Sequence, residues 1–305
     1  MDASKPTMLP TVDVRRLPRL PKGPGEDPSA ITLATKYRDL RLHALHTSPE
    51  AFASSFEIES QWGLGRTVAR LSNPQAAHFI ATLADRDTSG TSNNNDETAL
   101  QSQQWVGFIA LLGPTLSKSE SSAKVSAAHD PFAQMQATGL SNNLVRTSEQ
   151  ATTSRPPQSG MLSYHIGAVF VERGMRKAGV GRALIDAALS EAETQVHERK
   201  ASAFECTMHV DTYNDAAIRL YQKVGFEVVG EETYAQQTVA SGPGESRVIE
   251  RVAFLMEMTR ARITCVFILT PQNSWHERPK FVRTSIYFLS TTNHRKSRTN
   301  TSSHE

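Results

Sequence analysis

Residues 171–182 read Val171-Glu172-Arg173-Gly174-Met175-Arg176-Lys177-Ala178-Gly179-Val180-Gly181-Arg182, placed between an apolar run and a helical pattern. The apolar run from Tyr164 predicts a strand that feeds a tight glycine turn at a helix start. There the first backbone N–H groups lack intrahelical acceptors, and the helix dipole adds partial positive charge. Such a turn is a seat for a phosphate or pyrophosphate. Gly179 and Gly181 allow backbone angles and close approaches that a Cβ obstructs, and Arg176, Lys177 and Arg182 surround the turn with positive charge. Downstream, Val180, Leu184, Ala188 and Ala192 recur every four residues, and Ile185, Leu189 and Val196 widen the stripe. One face of this helix is therefore expected to pack on a sheet.

Other phosphate loops fit poorly. A Walker loop ends in Gly-Lys followed by Ser or Thr, and the dinucleotide fingerprint needs a third glycine or alanine where Leu184 stands. A bare Gly-x-Gly turn is weak by itself, and a second motif supplies the specificity. Asn214-Asp215-Ala216-Ala217-Ile218-Arg219-Leu220-Tyr221 reads as a short helix, with Asn214 as N-cap and Gly225 placed to end it before Phe226.

Together the two motifs resemble the acetyl-CoA-binding core of the GNAT superfamily of N-acetyltransferases. Its pattern [Q/R]-x-x-G-x-[G/A] corresponds to Arg176 through Gly181, and its Asn-led helix ending in Tyr and then Gly-Phe to Asn214, Tyr221, Gly225 and Phe226. The resemblance reaches upstream to Val12–Leu17 as a first strand, Tyr37–Leu45 as a first helix, and the segment of Glu57, Glu59 and Trp62 beside the acceptor cleft. Arg173 departs from the family, where a proline is common, and leaves the approach to the turn less rigid.

The fold expected is α/β, a GNAT-like mixed β-sheet flanked by helices, with splayed central strands and disordered insertions. The domain is placed at residues 12–258, after a tail at 1–11 and before a basic, disordered extension at 259–305. Polar composition marks the insertions at about 85–103 and 114–160.

The resemblance implies backbone contacts from Val169 and Val171 to an acetyl-pantetheine arm. Pyrophosphate contacts are implied from Arg176, Lys177, Ala178, Gly179, Val180, Gly181 and Arg182, with a further cofactor contact from Asn214. The activity implied is direct transfer of acetyl from acetyl-CoA, as co-substrate, to a primary amine of a small molecule or peptide. Tyr221 matches the family tyrosine that protonates the departing sulfur; its bland role is a core aromatic. Glu57 and Glu59 are candidates for the base, Glu172 is another, and all three read equally well as ordinary carboxylates. His165 and His209 fall in presumed strands, where a lone histidine is usually a packed or edge residue. The competing reading is a noncatalytic acyl-CoA-binding or interaction module; a third is nucleotide binding through the glycine turn.

Composition adds limits. The chain has 305 residues, 38% hydrophobic and 21% charged, with 33 Lys+Arg against 31 Asp+Glu and a net charge of +2. No global field points to nucleic acid. Cys206 and Cys265 are far apart, and His43 and His46 lack a third ligand, so neither a disulfide frame nor a metal is expected. No apolar run reaches a membrane span, and prolines interrupt the N-terminus, so a cytoplasmic protein is expected, with the nucleus as alternative. A homodimer is among the states the sequence allows.

Overall fold

The computed structural model describes residues 11–21, 27–84, 96–116, 160–239 and 246–262. The expected tail before residue 11, most of both expected insertions and the extension beyond 262 lie outside the described residues.

Seven strands form one sheet in the order β1-β2-β3-β4-β5-β7-β6. They are β1 Val12–Arg16, β2 Ala76–Leu83, β3 Trp105–Leu116, β4 Met161–Val171, β5 Ala203–Asp211, β6 Glu227–Val239 and β7 Ser246–Ala261. Neighbours pair antiparallel except β4 and β5, which run parallel from Met161↔Ala203 to Ile166↔Met208. Past that rung the strands continue without pairing to each other: β4 stays on β3 as far as Val171↔Gly107, and β5 stays on β7 as far as Asp211↔Ala253. The central strands therefore splay, as the sequence led us to expect.

Helices cover both faces. On one, α1 (Pro28–Thr47), the single turn α2 (Phe56–Glu59) and α3 (Leu64–Leu71) pack with Ile80, Phe108 and Phe170. On the other, α5 (Val180–Glu198) and α6 (Asp215–Val224) pack on Phe79, Ile109, Tyr164, Ile166, Phe204, Cys206 and Met208. The stripe expected on α5 is the face that is buried, from Val180 to Val196. Strand alternation explains the division: Tyr164 and Ile166 turn inward to α5 while His165 between them turns to the other face. Cys206 lies on the α5 face as a free thiol, its pKa pushed by burial up to about 12.

Three boundaries differ from the sequence reading. Residues 96–102, assigned to a polar insertion, form helix α4 (Asp96–Ser102), with Ala99 and Leu100 buried. Its C-terminal carbonyls are held by the protein: Lys36 Nζ donates to Leu100 O, Gln101 O and Gln103 O at 2.8–2.9 Å, and Trp105 Nε1 to Leu100 O at 2.8 Å. Strand β3 runs to Leu116, into the insertion expected from about 114, so 114–116 belong to the sheet. Strand β7 continues to Ala261, three residues past the expected domain end, because Ala203–Glu205 of β5 offer it a ladder.

Candidate functional site

The site is built where β4 loses its partner. Two residues of β4, Ala168 and Val169, stand opposite the single residue Ile109 of β3, and Ala168 takes a positive φ of 55°. This bulge bends β4 away from β5. Val169 and Val171, the residues expected to meet a pantetheine arm, lie on this unpaired stretch and pack toward the α5 side. The carbonyl of Val171 already accepts a bond from Arg176 Nε at 3.0 Å, which leaves it one lone pair.

A 3-10 turn, Arg173–Met175, leads to the glycine turn. Lys177 has φ 65° and Gly179 φ 83°, and Gly179 is the N-cap of α5. The first bond of the helix runs from Ala183 N to Gly179 O. The amides of Lys177, Ala178, Gly179, Val180, Gly181 and Arg182 donate to no described residue. They are a run of unbonded donors at the positive end of a long helix, an arrangement suited to an anion such as a diphosphate. A Cβ built on Gly179 meets nothing within 4 Å, so the space beside that residue is open. At Gly181 a Cβ comes within 3.1 Å of Leu220 Cδ2, so that glycine serves the packing of α6.

Arg176 departs from its expected role. Its amide donates to Arg173 O at 3.3 Å, and its guanidinium bonds Val171 O and, at 2.9 Å, Ser48 Oγ. Its amide and two of its guanidinium nitrogens are engaged with the protein, so Arg176 braces the turn, and the run of free amides begins at Lys177. Arg182 pairs with Asp186 on the exposed side of α5 at 3.2 Å. Two further ties hold the turn to the end of α1: Arg173 Nη2 donates to Thr47 O at 2.5 Å, and His43 Nε2 contacts Glu172 Oε2 at 2.7 Å.

On α6, Asn214 Oδ1 caps Ala217 N at 3.2 Å, and Nδ2 bonds no described residue. Gly225, at φ 110°, ends the helix with its own N–H and that of Phe226 on Tyr221 O. Leu220 touches Gly181, so the glycine turn and the residue before Tyr221 are in contact. Tyr221 is 7% exposed, stacks edge-on to Phe226, and makes no hydrogen bond to a described residue through its hydroxyl. Burial pushes its pKa up to about 12, which keeps it protonated at neutral pH.

The two acceptor-side glutamates separate. Glu59 is buried, with Oε2 and Oε1 taking Arg41 Nε and Nη2 at 2.7 and 2.5 Å, and Arg70 Nη1 at 3.5 Å from Oε2. Burial alone raises its pKa, but the two guanidinium groups outweigh it and hold the carboxyl below the usual range. A carboxylate locked in two ion pairs is a poor proton acceptor, so the structure removes Glu59 as a base. Glu57 is exposed on α2, and its side chain bonds no described residue. Glu172 is used by His43 and by the amide of Arg173.

Two histidines read from the sequence as packed or edge residues meet beside the last β4–β5 rung. His165 and His209 have ring centroids 5.4 Å apart, on the sheet face away from α5. Their signal was the alternation itself, which sets both off the apolar positions of β4 and β5. Among the described residues no cluster of three or more His, Cys, Asp or Glu could hold a metal, and no helix is long and apolar enough to cross a membrane.

The sequence of residues 156–226 matches the Acetyltransferase (GNAT) family. Over 66 residues the chain is 38% identical to peptidyl-lysine N-acetyltransferase YjaB of Escherichia coli (strain K12), an overlap of 22% of this chain and 37% of the relative. The matching part thus spans little more than a third of that relative. Similar solved structures include Arabidopsis thaliana NAA60 with acetyl-CoA, at 14% identity and TM-score 0.42, covering 82% of this chain and 98% of that one. Another is an IAA acetyltransferase from Bacillus cereus ATCC 14579, at 13% identity and TM-score 0.36, covering 82% and 100%. The similarity to the Acetyltransferase (GNAT) family thus lies in the segment that carries the glycine turn, α5, β5 and α6.

Proposed function

We propose that the protein is an acetyl-CoA-dependent N-acetyltransferase that passes the acetyl group directly to a primary amine of a small molecule or peptide. One observation carries this reading: the amides from Lys177 to Arg182 at the start of α5 donate to no described residue, and a Cβ on Gly179 among them meets nothing within 4 Å, just after the strand end where β4 and β5 part. The amides hold the diphosphate of CoA. The unpaired edge of β4 around Val169 offers the pantetheine amides the ladder bonds that β5 has given up. The thioester then lies in the gap between the strands, close to the α6 residue Tyr221.

The chemistry is positioning followed by proton management. Holding amine and thioester together converts a bimolecular encounter into a local one, which supplies much of the rate. The amine nitrogen attacks the acetyl carbon, the C–S bond breaks, and Tyr221, kept protonated by burial, gives its proton to the sulfur. Arg176 holds the turn in shape rather than gripping phosphate. We place the reaction in the cytoplasm, a compartment suited to free thiols such as Cys206.

The test is CoA release over a panel of amines that includes a lysine peptide, the acceptor class named for YjaB, together with acetyl-CoA affinity by calorimetry. Micromolar binding with amine-dependent CoA release supports the reading. Binding without release from any amine favours the noncatalytic acyl-CoA module, and tighter binding of ATP or NAD than of CoA sinks both.

A further inference from the structure

Between α1, α2 and α3 lies a recess of about 10 Å³, room for one water-sized group, that the proposed reaction does not use. Arg38 and Arg41 of α1 and Arg66 and Arg70 of α3 line it, together with a single carboxylate, Glu59 of α2. That carboxylate is shared. Arg41 bonds it through Nε and Nη2 at 2.7 and 2.5 Å, and Arg70 Nη1 reaches it at 3.5 Å. Arg41, Arg70 and Glu59 are all buried, at 8%, 7% and 5% exposure.

The wall of the recess therefore sets four cations against one anion. Asp39 of α1 and Glu57 of α2, the other carboxylates of these three helices, are exposed and do not line it. His78 adds no charge, because burial, with the fields of Arg70 and Arg41, lowers its pKa to about 3. Positive charge held away from water is costly unless an anion balances it. Donors are also on hand. Arg38 Nε and Nη2 bond Ser60 O and Trp62 O at 3.0–3.3 Å, while its Nη1 bonds no described residue. Arg66 makes no hydrogen bond to a described residue, and its guanidinium lies 3.9 Å from the centroid of the Trp62 ring, a contact that steadies the fork. Thr67, also in the wall, bonds no described residue through its hydroxyl.

We propose that this recess binds a phosphate group, carried by the free ion or by a small phosphate monoester, with Arg38 on one side and Arg66 and Thr67 on the other. The inference stands apart from the acetyltransferase reading, since none of these residues belongs to the glycine turn, the parted strands or α6. A phosphate dianion offsets more of the surplus charge than a carboxylate does, and its oxygens match the guanidinium fork. One oxygen enters the recess, and the rest of the group lies at the mouth, where Arg66 is exposed. A ligand gripped by Arg38 and Arg66 at once links α1 to α3.

The experiment titrates the whole chain with inorganic phosphate and, separately, with glycerol 3-phosphate, at constant ionic strength made up with chloride. Binding is followed by 15N NMR at the Trp62 indole and the Arg66 Nε. Both resonances are expected to shift and saturate, with a Kd of about 1 mM or below. Arg66→Gln, an exposed change, is expected to weaken binding about tenfold as read at Trp62, and Arg66→Lys, which keeps the charge and loses the fork, to recover part of it. Equal or tighter binding of the free ion identifies it as the ligand, and tighter binding of glycerol 3-phosphate identifies an ester; both support the inference. In roughly 20 mM phosphate the thermal midpoint should rise above the chloride control, and the rise should shrink in Arg66→Gln. Trp62 and Arg66 signals that stay fixed over this range, or a titration at Trp62 equally tight in Arg66→Gln, overturn the inference. Neither result bears on the acetyltransferase reading, which CoA release tests separately.

Discussion

Arg176 Nη2 donates to Ser48 Oγ across 2.9 Å and so ties the turn before α5 to the residue that ends α1. Ser48 is buried, and the segment after it, Pro49 to Phe52, is held in turn by Gln236 of β6, whose Nε2 bonds Pro49 O and Phe52 O. The cofactor side and the acceptor side are thereby joined by side chains. Ser48→Ala removes a bond from a charged donor and is expected to cost about 1.5–3 kcal/mol of stability. Acetyl-CoA binding should weaken only several-fold, because the donors themselves remain; thermal unfolding and calorimetry on the same preparation separate the two effects.

The two glycines of the turn predict opposite outcomes. Gly179→Ala forces a Cβ onto a left-handed residue, costing about 1–2 kcal/mol, and the added methyl projects into the open space proposed above for the diphosphate. We expect acetyl-CoA affinity to fall at least tenfold. Gly181→Ala meets only the movable end of Leu220, and should stay within about 1 kcal/mol of the parent with near-normal binding.

Tyr221→Phe should leave acetyl-CoA binding intact and lower CoA release about 100-fold. It also has a signature in stability. The folded pKa of Tyr221 is raised to about 12 from an ordinary 10, so the folded state holds its proton where the unfolded chain has lost it. That contribution is complete below pH 10 and is lost as pH rises toward 12. Urea unfolding between pH 9 and 12 should show a shallower alkaline decline in the phenylalanine variant.

Glu59→Gln should destabilise the fold by roughly 3–5 kcal/mol, since it leaves Arg41 and Arg70 buried beside a neutral group. Glu57→Gln, an exposed change, should move stability by less than about 0.5 kcal/mol. If Glu59 acted as the base, its variant would lose turnover per folded molecule out of proportion to its loss of stability; we expect turnover per folded molecule to survive.

Strands β3 and β4 pair up to Leu116↔Leu162, so their ends are already adjacent. Replacing residues 117–159 by a four-residue Gly/Asn linker should preserve the sheet, with an unfolding midpoint equal to or above that of the parent. Acetyl-CoA affinity should be unchanged, because the splay lies at the opposite end of β4.

The cofactor side was legible because it depends on local rules: a glycine where φ is positive, a cap at Asn214, a stripe on α5. Helix α4 was not, because Asp96-Glu97-Thr98-Ala99-Leu100 has too few apolar residues to show a period, and its support comes from Lys36 and Trp105, distant in sequence or across a turn. The acceptor side escaped for the same reason. Whether a glutamate is a base or half of an ion pair depends on Arg41 and Arg70, and whether a strand histidine is idle depends on which strand lies beside it. Arg176 fits the family pattern in sequence, and only its partners Ser48 and Val171 show that it is a brace.

The lone parallel seam between β4 and β5 has a mechanical meaning. Each side of it is an antiparallel panel, joined to the other by the rungs from Met161↔Ala203 to Ile166↔Met208 and by the crossover through α5. A guest wedged into the gap bridges both panels like a keystone, so loading the protein should stiffen the whole arch, and release of the spent guest should return the give that lets the next one in.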